Sequence, residues 1–230
     1  MSADKPFSPS CERNREPILA VLREHFSDRH QVLEIGSGTG QHAVYFAAAM
    51  PWLTWQCSDR VESLPGIRQW LDEAALPNTP APIELDVRGP WPVRKFDAVF
   101  SANSLHIMGW AEVQAFFAGV GRVLASPSMS ALRADAHDEP ASDDGKLVVY
   151  GPFNYAGAYT SDSNRDFDGW LKARDPHSGI RDFEAVDALA RGIGLQLIAD
   201  IAMPANNRCL VWQRGLDSAP AAPDAAAIAS

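Results

Sequence analysis

The 230-residue sequence holds little cysteine: Cys11, Cys57 and Cys209 are far apart and form no C-x-x-C pair. Such thiols suit a reducing compartment and offer neither a disulfide framework nor zinc-ligand spacing, so no metal is expected. Long apolar runs are missing as well. The stretches Val44 to Met50 and Leu195 to Met203 are far shorter than the roughly 20 residues that cross a bilayer. The opening MSADKPFSPSCERNREP has no apolar core behind a basic start, so no secretory signal is read and a cytoplasmic location is expected. Basic residues are outnumbered, 20 Lys plus Arg against 29 Asp plus Glu, for a net charge of -9. Neither a nucleic-acid nor a membrane partner is therefore expected.

What is present is a hydrophobic fraction of 46%, enough to bury one core, and one domain over residues 1–215 is the expected organisation. PSCERNREPILAVLREHF reads as an amphipathic helix, with Ile18, Leu19, Leu22 and Phe26 at helical spacing behind Ser8 or Ser10 as caps. QVLEIG then reads as a strand, and GTGQHAVYFAAAM as a turn running into a helix. The alternation continues with strands at LTWQCSD, APIELDV, KFDAVFSAN and KLVVYG, and helices at LPGIRQWLDEAAL, AEVQAFFAGVGRVLA and DFEAVDALARGIG. LQLIADIAM and CLVWQR, separated by PANNR, read as a closing antiparallel hairpin. This order predicts a single Rossmann-like α/β domain, with a mostly parallel seven-stranded sheet covered by helices on both faces.

Three segments break the rhythm. Residues 126–145 read as a mobile acidic insertion and residues 216–230 as a disordered Ala/Pro tail. They carry -4 and -2 of the net -9, leaving only -3 for the rest, so acidity alone argues weakly against nucleic acid. Residues 151–181, rich in aromatic, Asn, Asp and Arg residues, show little sustained period and read as a substrate lid.

The chemistry centres on Glu34-Ile35-Gly36-Ser37-Gly38-Thr39-Gly40, where a strand ends and a helix begins. Small residues there let a backbone approach a ligand and leave amides free. A dinucleotide fingerprint would put its third glycine at position 41, which is Gln41. Glu34 is placed for a ligand ammonium group and Asp59, ending the second strand, for ribose hydroxyls. Asp86, or the backbone amide of Val87, is placed for an adenine edge. Ser37, Arg60 and Asn103 adjoin these positions, and His42 lies in the first helical turn after the glycines. Arg13 and Asn14, read as preceding the opening helix, are expected to fold over the same ligand.

The E-x-G-x-G-x-G turn with acids ending the next two strands resembles the class I S-adenosylmethionine-dependent methyltransferases, over about residues 30–125. A narrower resemblance rests on SPSCERNREPIL, GSGTGQHAVYFA, SANSLHIMGW, PANNRCLVW and YGPFNYAGAYTSDSNRDFDGWLKARDPHSGIRDFE. These strings are similar to the domain-of-unknown-function 938 family, which includes methyltransferase-like protein 26, over about residues 6–213. The resemblance implies a methyltransferase-type fold and S-adenosylmethionine as cofactor, and supplies no acceptor. The insertion departs from the family pattern, where a short Gly-containing turn is expected.

Methyl transfer from a sulfonium needs alignment and, for a protonated nucleophile, a base. His106, after the fourth strand, is read as that base with a pKa near neutrality, or else as a histidine held in its turn by a hydrogen bond. Trp110 is read as a pocket wall or as core. NPPY, the pattern for planar amines, is absent after strand four. Tyr150, Asn154, Tyr155, Asn164, Asp168 and Asn206 are candidates for orienting a neutral acceptor, and Arg174 or Arg181 for clamping a carboxylate. A small-molecule acceptor is expected. The alternatives are a regulatory protein that binds the cofactor without turnover, and a protein or RNA acceptor.

Overall fold

The computed structural model describes residues 5–125 and 144–215. The tail and the insertion up to residue 143 lie outside the described residues. Elements follow in the order α1 (Pro9–His25), β1 (Gln31–Ile35), α2 (Gln41–Ala49), β2 (Thr54–Asp59), α3 (Leu64–Ala74), β3 (Ile83–Glu84), β4 (Ala98–Ala102) and α4 (Trp110–Val123). They continue with β5 (Lys146–Gly151), β6 (Phe153–Asn154), α5 (Asp162–Arg174), β7 (Arg181–Asp182), α6 (Phe183–Gly192), β8 (Leu195–Met203) and β9 (Asn207–Arg214).

Seven strands form one sheet in the order β3-β2-β1-β4-β5-β9-β8, with β6 and β7 as a separate pair. The central strands are parallel, and β9 runs antiparallel to both β5 and β8. Alternation along each strand sorts the core into two layers. Val32, Trp55, Phe100 and Val148 meet Ile18 and Leu22 of α1, Phe46 of α2 and Ile67 of α3. Their neighbours Leu33, Val99, Leu147 and Trp212 meet Val113, Phe116 and Phe117 of α4 and Val186 of α6. Helices therefore cover both faces, which is why the strands read as apolar runs without alternation. The strand order reverses between β1 and β4, and open α/β sheets form ligand crevices at such a switch point, beyond the carboxyl ends of the strands.

Three differences from the sequence reading have physical causes. Strand three shrinks to Ile83–Glu84, paired only through Ser58↔Ile83 and Asp59↔Glu84, because Pro80 and Pro82 cannot donate to the ladder. Arg13 and Asn14 lie inside α1, which begins at Pro9, and not before it. Residues 151–181 are not irregular: they contain β6 and the 13-residue helix α5. The buried residues of α5 are Asn164, Asp168 and Leu171, so its inward stripe is mainly polar and carries no apolar period. The helix is nonetheless well started, since Ser161 Oγ accepts from Asn164 N at 3.1 Å.

Candidate functional site

At the switch point β1 runs into the glycine turn, where the Gly36 and Ser37 amides donate to Ser58 O at 3.0 and 3.1 Å. Gly36 has φ 74°, and a Cβ there would lie 2.5 Å from Ser104 Oγ, so the turn is pressed against the end of β4. Gly38 has φ 59°, and a Cβ there would meet nothing within 4 Å. Its bare backbone faces open space beside a cleft of about 480 Å³, which also touches Ser37 and Thr39. Gly40 caps the start of α2.

Two carboxylates stand on the rim of this cleft, from the ends of adjacent strands. Asp59 Oδ2 accepts from Gly38 N at 2.7 Å and Oδ1 from Arg60 N at 2.8 Å, so the acid is oriented by the turn it faces. Asp86, two residues past β3, is fixed in a tight turn by Arg88 N on Oδ1 at 2.9 Å and by Gly89 N on its carbonyl. Leu85, Val87, Ile107 and Met108 supply apolar wall between the acids and the β4 loop. Asn103 also lines the cleft, in left-handed backbone at φ 57°, with its amide bonded to Tyr150 O. Arg60 lines it too, although its guanidinium is paired with Glu62 at 3.0 Å.

Glu34 is placed differently from the sequence expectation. It does not line the cleft but lies buried beneath the turn, where its carboxylate accepts from Ser37 Oγ and Trp55 Nε1, each at 3.0 Å. Burial pushes its pKa up to about 7, against hydrogen bonds from Trp55, Ser37 and the Cys57 thiol and with help from Asp59. It shapes the turn from below.

The third wall comes from the N-terminal segment. Ser8, Ser10 and Cys11 line the cleft, although sequence reasoning took the serines only as caps. His42 lines it from α2, with Nε2 2.7 Å from Asn14 Oδ1 and its ring stacked on Phe46. Burial pushes His42 down to about 4, so the ring is neutral at physiological pH. Arg13 is exposed and does not line the cleft. Ser104 and Glu112 were also missed. The only sequence signal for Glu112 was its spacing from Gly109, whose amide donates to Glu112 Oε2 at 2.7 Å.

The candidates beyond strands four and five are dispersed. His106 is buried behind the cleft lining, edge-on to Phe167 at 5.3 Å, with its carbonyl accepting from Gly179 N. Its expected near-neutral pKa is corrected: burial, then the charge of Arg181, push it down to about 4. Among the described residues its ring nitrogens make no hydrogen bond, and the hydrogen bond that holds the residue in its turn is the backbone one from Gly179 N. Trp110 is neither wall nor core but 39% exposed at the start of α4. Tyr150 sits in the core layer under α1, its phenol near Asn14 and Asn207 and its pKa raised by burial.

Several polar groups of the expected lid are taken up in contacts within it or with β8 and the turn that follows it. Tyr155 donates to Asp200 Oδ2 at 2.8 Å, and Asn164 Nδ2 donates to Thr160 Oγ1 and to Asn206 O. Asp168 accepts from Tyr159, Lys172 and the Ile180 amide, at 2.6 to 2.7 Å. Arg174 lies over the Trp170 ring. Arg181 donates to the carbonyls of Leu105, Met108 and His177, and so braces the turn that carries His106. Asn206 occupies left-handed backbone at φ 57° in the 3₁₀ turn between β8 and β9. Asn154 is the exception: it is 8% exposed and its Oδ1 has no partner among the described residues.

Solved structures share this fold at low sequence identity. An O-methyltransferase family protein from Burkholderia thailandensis is 16% identical with a TM-score of 0.69, the match covering 88% of this chain and 57% of that one. The S-adenosylmethionine-dependent methyltransferase SibL is 20% identical with a TM-score of 0.70, covering 89% and 55%. PigF, solved with SAH, is 14% identical with a TM-score of 0.68, covering 86% and 55%. The chain thus spans little more than half the length of these proteins. Residues 5–214 match a family described as a protein of unknown function, DUF938. The chain belongs to the DUF938 family, on the α/β fold of these methyltransferases.

Proposed function

We propose that this protein is an S-adenosylmethionine-dependent methyltransferase acting on a small-molecule acceptor. One observation carries the reading: the Gly38 backbone, Asp59 and Asp86 converge on a single cleft at the switch point of the sheet. The residues fit the cofactor. Asp59 keeps carboxylate lone pairs free for ribose hydroxyls, Asp86 and Val87 suit an adenine edge, and Leu85 and Met108 offer apolar faces to a base. The cleft volume, about 480 Å³, is within the usual range for small-molecule and cofactor sites. When bound, S-adenosylmethionine supplies an electrophilic methyl group on a sulfonium.

The chain's own contribution is alignment and exclusion of water. The glycine turn, held from below by Glu34, sets one end of the line of transfer. The acceptor approaches past the ends of β4 and β5, where Asn103, Ser104 and Ile107 line the cleft and His106 is buried beside Ile107. In this reading His106 is neutral and takes a proton only as the methyl bond forms. The domain comprises residues 1–215, and the cytoplasmic assignment rests on the buried free thiols of Cys57 and Cys209.

Incubation with isotopically labelled S-adenosylmethionine and a metabolite extract is expected to label a compound that passes a small-pore filter. Label retained with protein or RNA would replace the acceptor class. Saturable S-adenosylhomocysteine binding without any transfer would favour a regulatory protein, a reading supported by the absence of His106 from the cleft lining. With His106 near pKa 4, its ring does not titrate between about pH 5.5 and 8. The rate profile should therefore show no inflection near pH 6.5 that disappears in His106→Gln; finding one would return His106 to the near-neutral range.

A further inference from the structure

Residue 41, where a dinucleotide fingerprint would have its last glycine, is a glutamine that is 4% exposed and does not line the cleft. Each end of its amide is in use. Oε1 accepts from Ser8 N at 2.5 Å and from Thr39 Oγ1 at 3.0 Å, and Nε2 donates to Glu12 Oε1 at 2.9 Å. One side chain thus ties the glycine turn to both sides of the start of α1, whose residues Ser8, Ser10 and Cys11 form the third wall of the cleft. The chain before Ser8 is fastened independently to α3. Trp70 Nε1 donates to Pro6 O at 2.7 Å, and Pro6 packs so closely on Gly66 that a Cβ there would come within 2.5 Å. Lys5 lies over the Trp70 ring and pairs with Glu73 at 2.6 Å. Between the fastenings Phe7 is left 60% exposed, so apolar burial does little to hold this stretch down.

The geometry points to Gln41 as a positioning residue that latches residues 5–12 across the cleft as a strap, which must lift for the cofactor to exchange. The inference rests on the cofactor reading above. Its physical basis is that the strap, which runs into the first turn of α1, is held by directed hydrogen bonds, the Lys5–Glu73 ion pair, the Pro6–Gly66 contact and one ring contact, and such a terminal stretch opens locally at far lower cost than a packed core element. Gln41 is suited to the task because an amide accepts at one end and donates at the other. A glycine at this position would leave the Cys11 thiol, which hydrogen-bonds Thr39, as the remaining side-chain link between the strap and the turn.

The test is the dissociation rate of S-adenosylhomocysteine from the full chain, measured by stopped-flow or surface plasmon resonance. Gln41→Ala removes all three bonds and is expected to raise the rate roughly tenfold. Gln41→Glu should do the same, because its carboxylate then faces Glu12, and adding Glu12→Gln should bring the rate back towards wild type by reversing the polarity of that bond. Trp70→Phe, which lies outside the cleft lining, loses the Pro6 bond and shrinks the ring under Lys5, and should raise the rate by about threefold. The idea is overturned if Gln41→Ala and Trp70→Phe, folded by their unfolding transitions, leave the dissociation rate unchanged. It is equally overturned if affinity falls only through slower association. Absence of binding by the wild-type chain would instead remove the cofactor reading itself.

Discussion

Gly38→Leu is expected to weaken S-adenosylhomocysteine binding by at least about 100-fold in calorimetry, with cooperative unfolding retained. At Gly38 the left-handed backbone (φ 59°) costs a branched residue roughly 1 to 2 kcal/mol. A Cβ at this position meets nothing within 4 Å, so the side chain has room in the folded protein and takes it from the cleft. Gly36→Ala is the instructive contrast: its left-handed backbone (φ 74°) strains an alanine, and its Cβ runs into Ser104 Oγ at 2.5 Å and displaces that hydroxyl from Ala102 O, so the turn is deformed before any ligand is present. The pair separates blocking a site from deforming the fold around it. Unaltered binding by folded Gly38→Leu would move the cofactor away from the turn.

The second large effect is on stability. Glu34 is 1% exposed and its pKa rises from an ordinary 4.5 to about 7 in the folded protein. Below pH 4.5 the group is protonated in both states and does not distinguish them. Between 4.5 and about 7 the unfolded chain gives up the proton while the folded chain keeps it, so stability falls as pH rises. Above about 7 the loss is complete, at about 3 kcal/mol. Gln keeps an oxygen to accept from Trp55 and Ser37 and has no proton to lose. Urea unfolding across this range should therefore show Glu34→Gln gaining on the wild type up to about pH 7 and running parallel above it. Parallel curves throughout would mean that Glu34 is ionised at its ordinary pKa.

The glycine-turn side of the cleft was legible because its signals are local. A tight turn that needs small residues writes Gly36 and Gly38 into adjacent sequence, and acids at strand ends follow at one strand-helix interval, as Asp59 and Asp86 do. The region beyond β4 and β5 was not, because its polar residues serve mutual contacts across long separations. Tyr155 meets Asp200, Asn164 meets Asn206, and Arg181 meets the 105–108 turn, none of which leaves a pattern along the chain. Helix α5 was missed for the same reason: Asn164 and Asp168 face inward to polar partners, and periodicity of apolar residues is blind to that.

By itself the sequence determined the alternation of strands and helices, the switch-point turn and the acids around it, since each depends on backbone geometry and burial within a short segment. Only the tertiary structure decided what surrounds each group. It buried Glu34 under the turn rather than opening it to the cleft, carried His106 behind the lining and far down in pKa, and brought Ser8 to Gln41 across 33 positions. Desolvation and long-range hydrogen bonding depend on neighbours distant in sequence, and no local pattern records them.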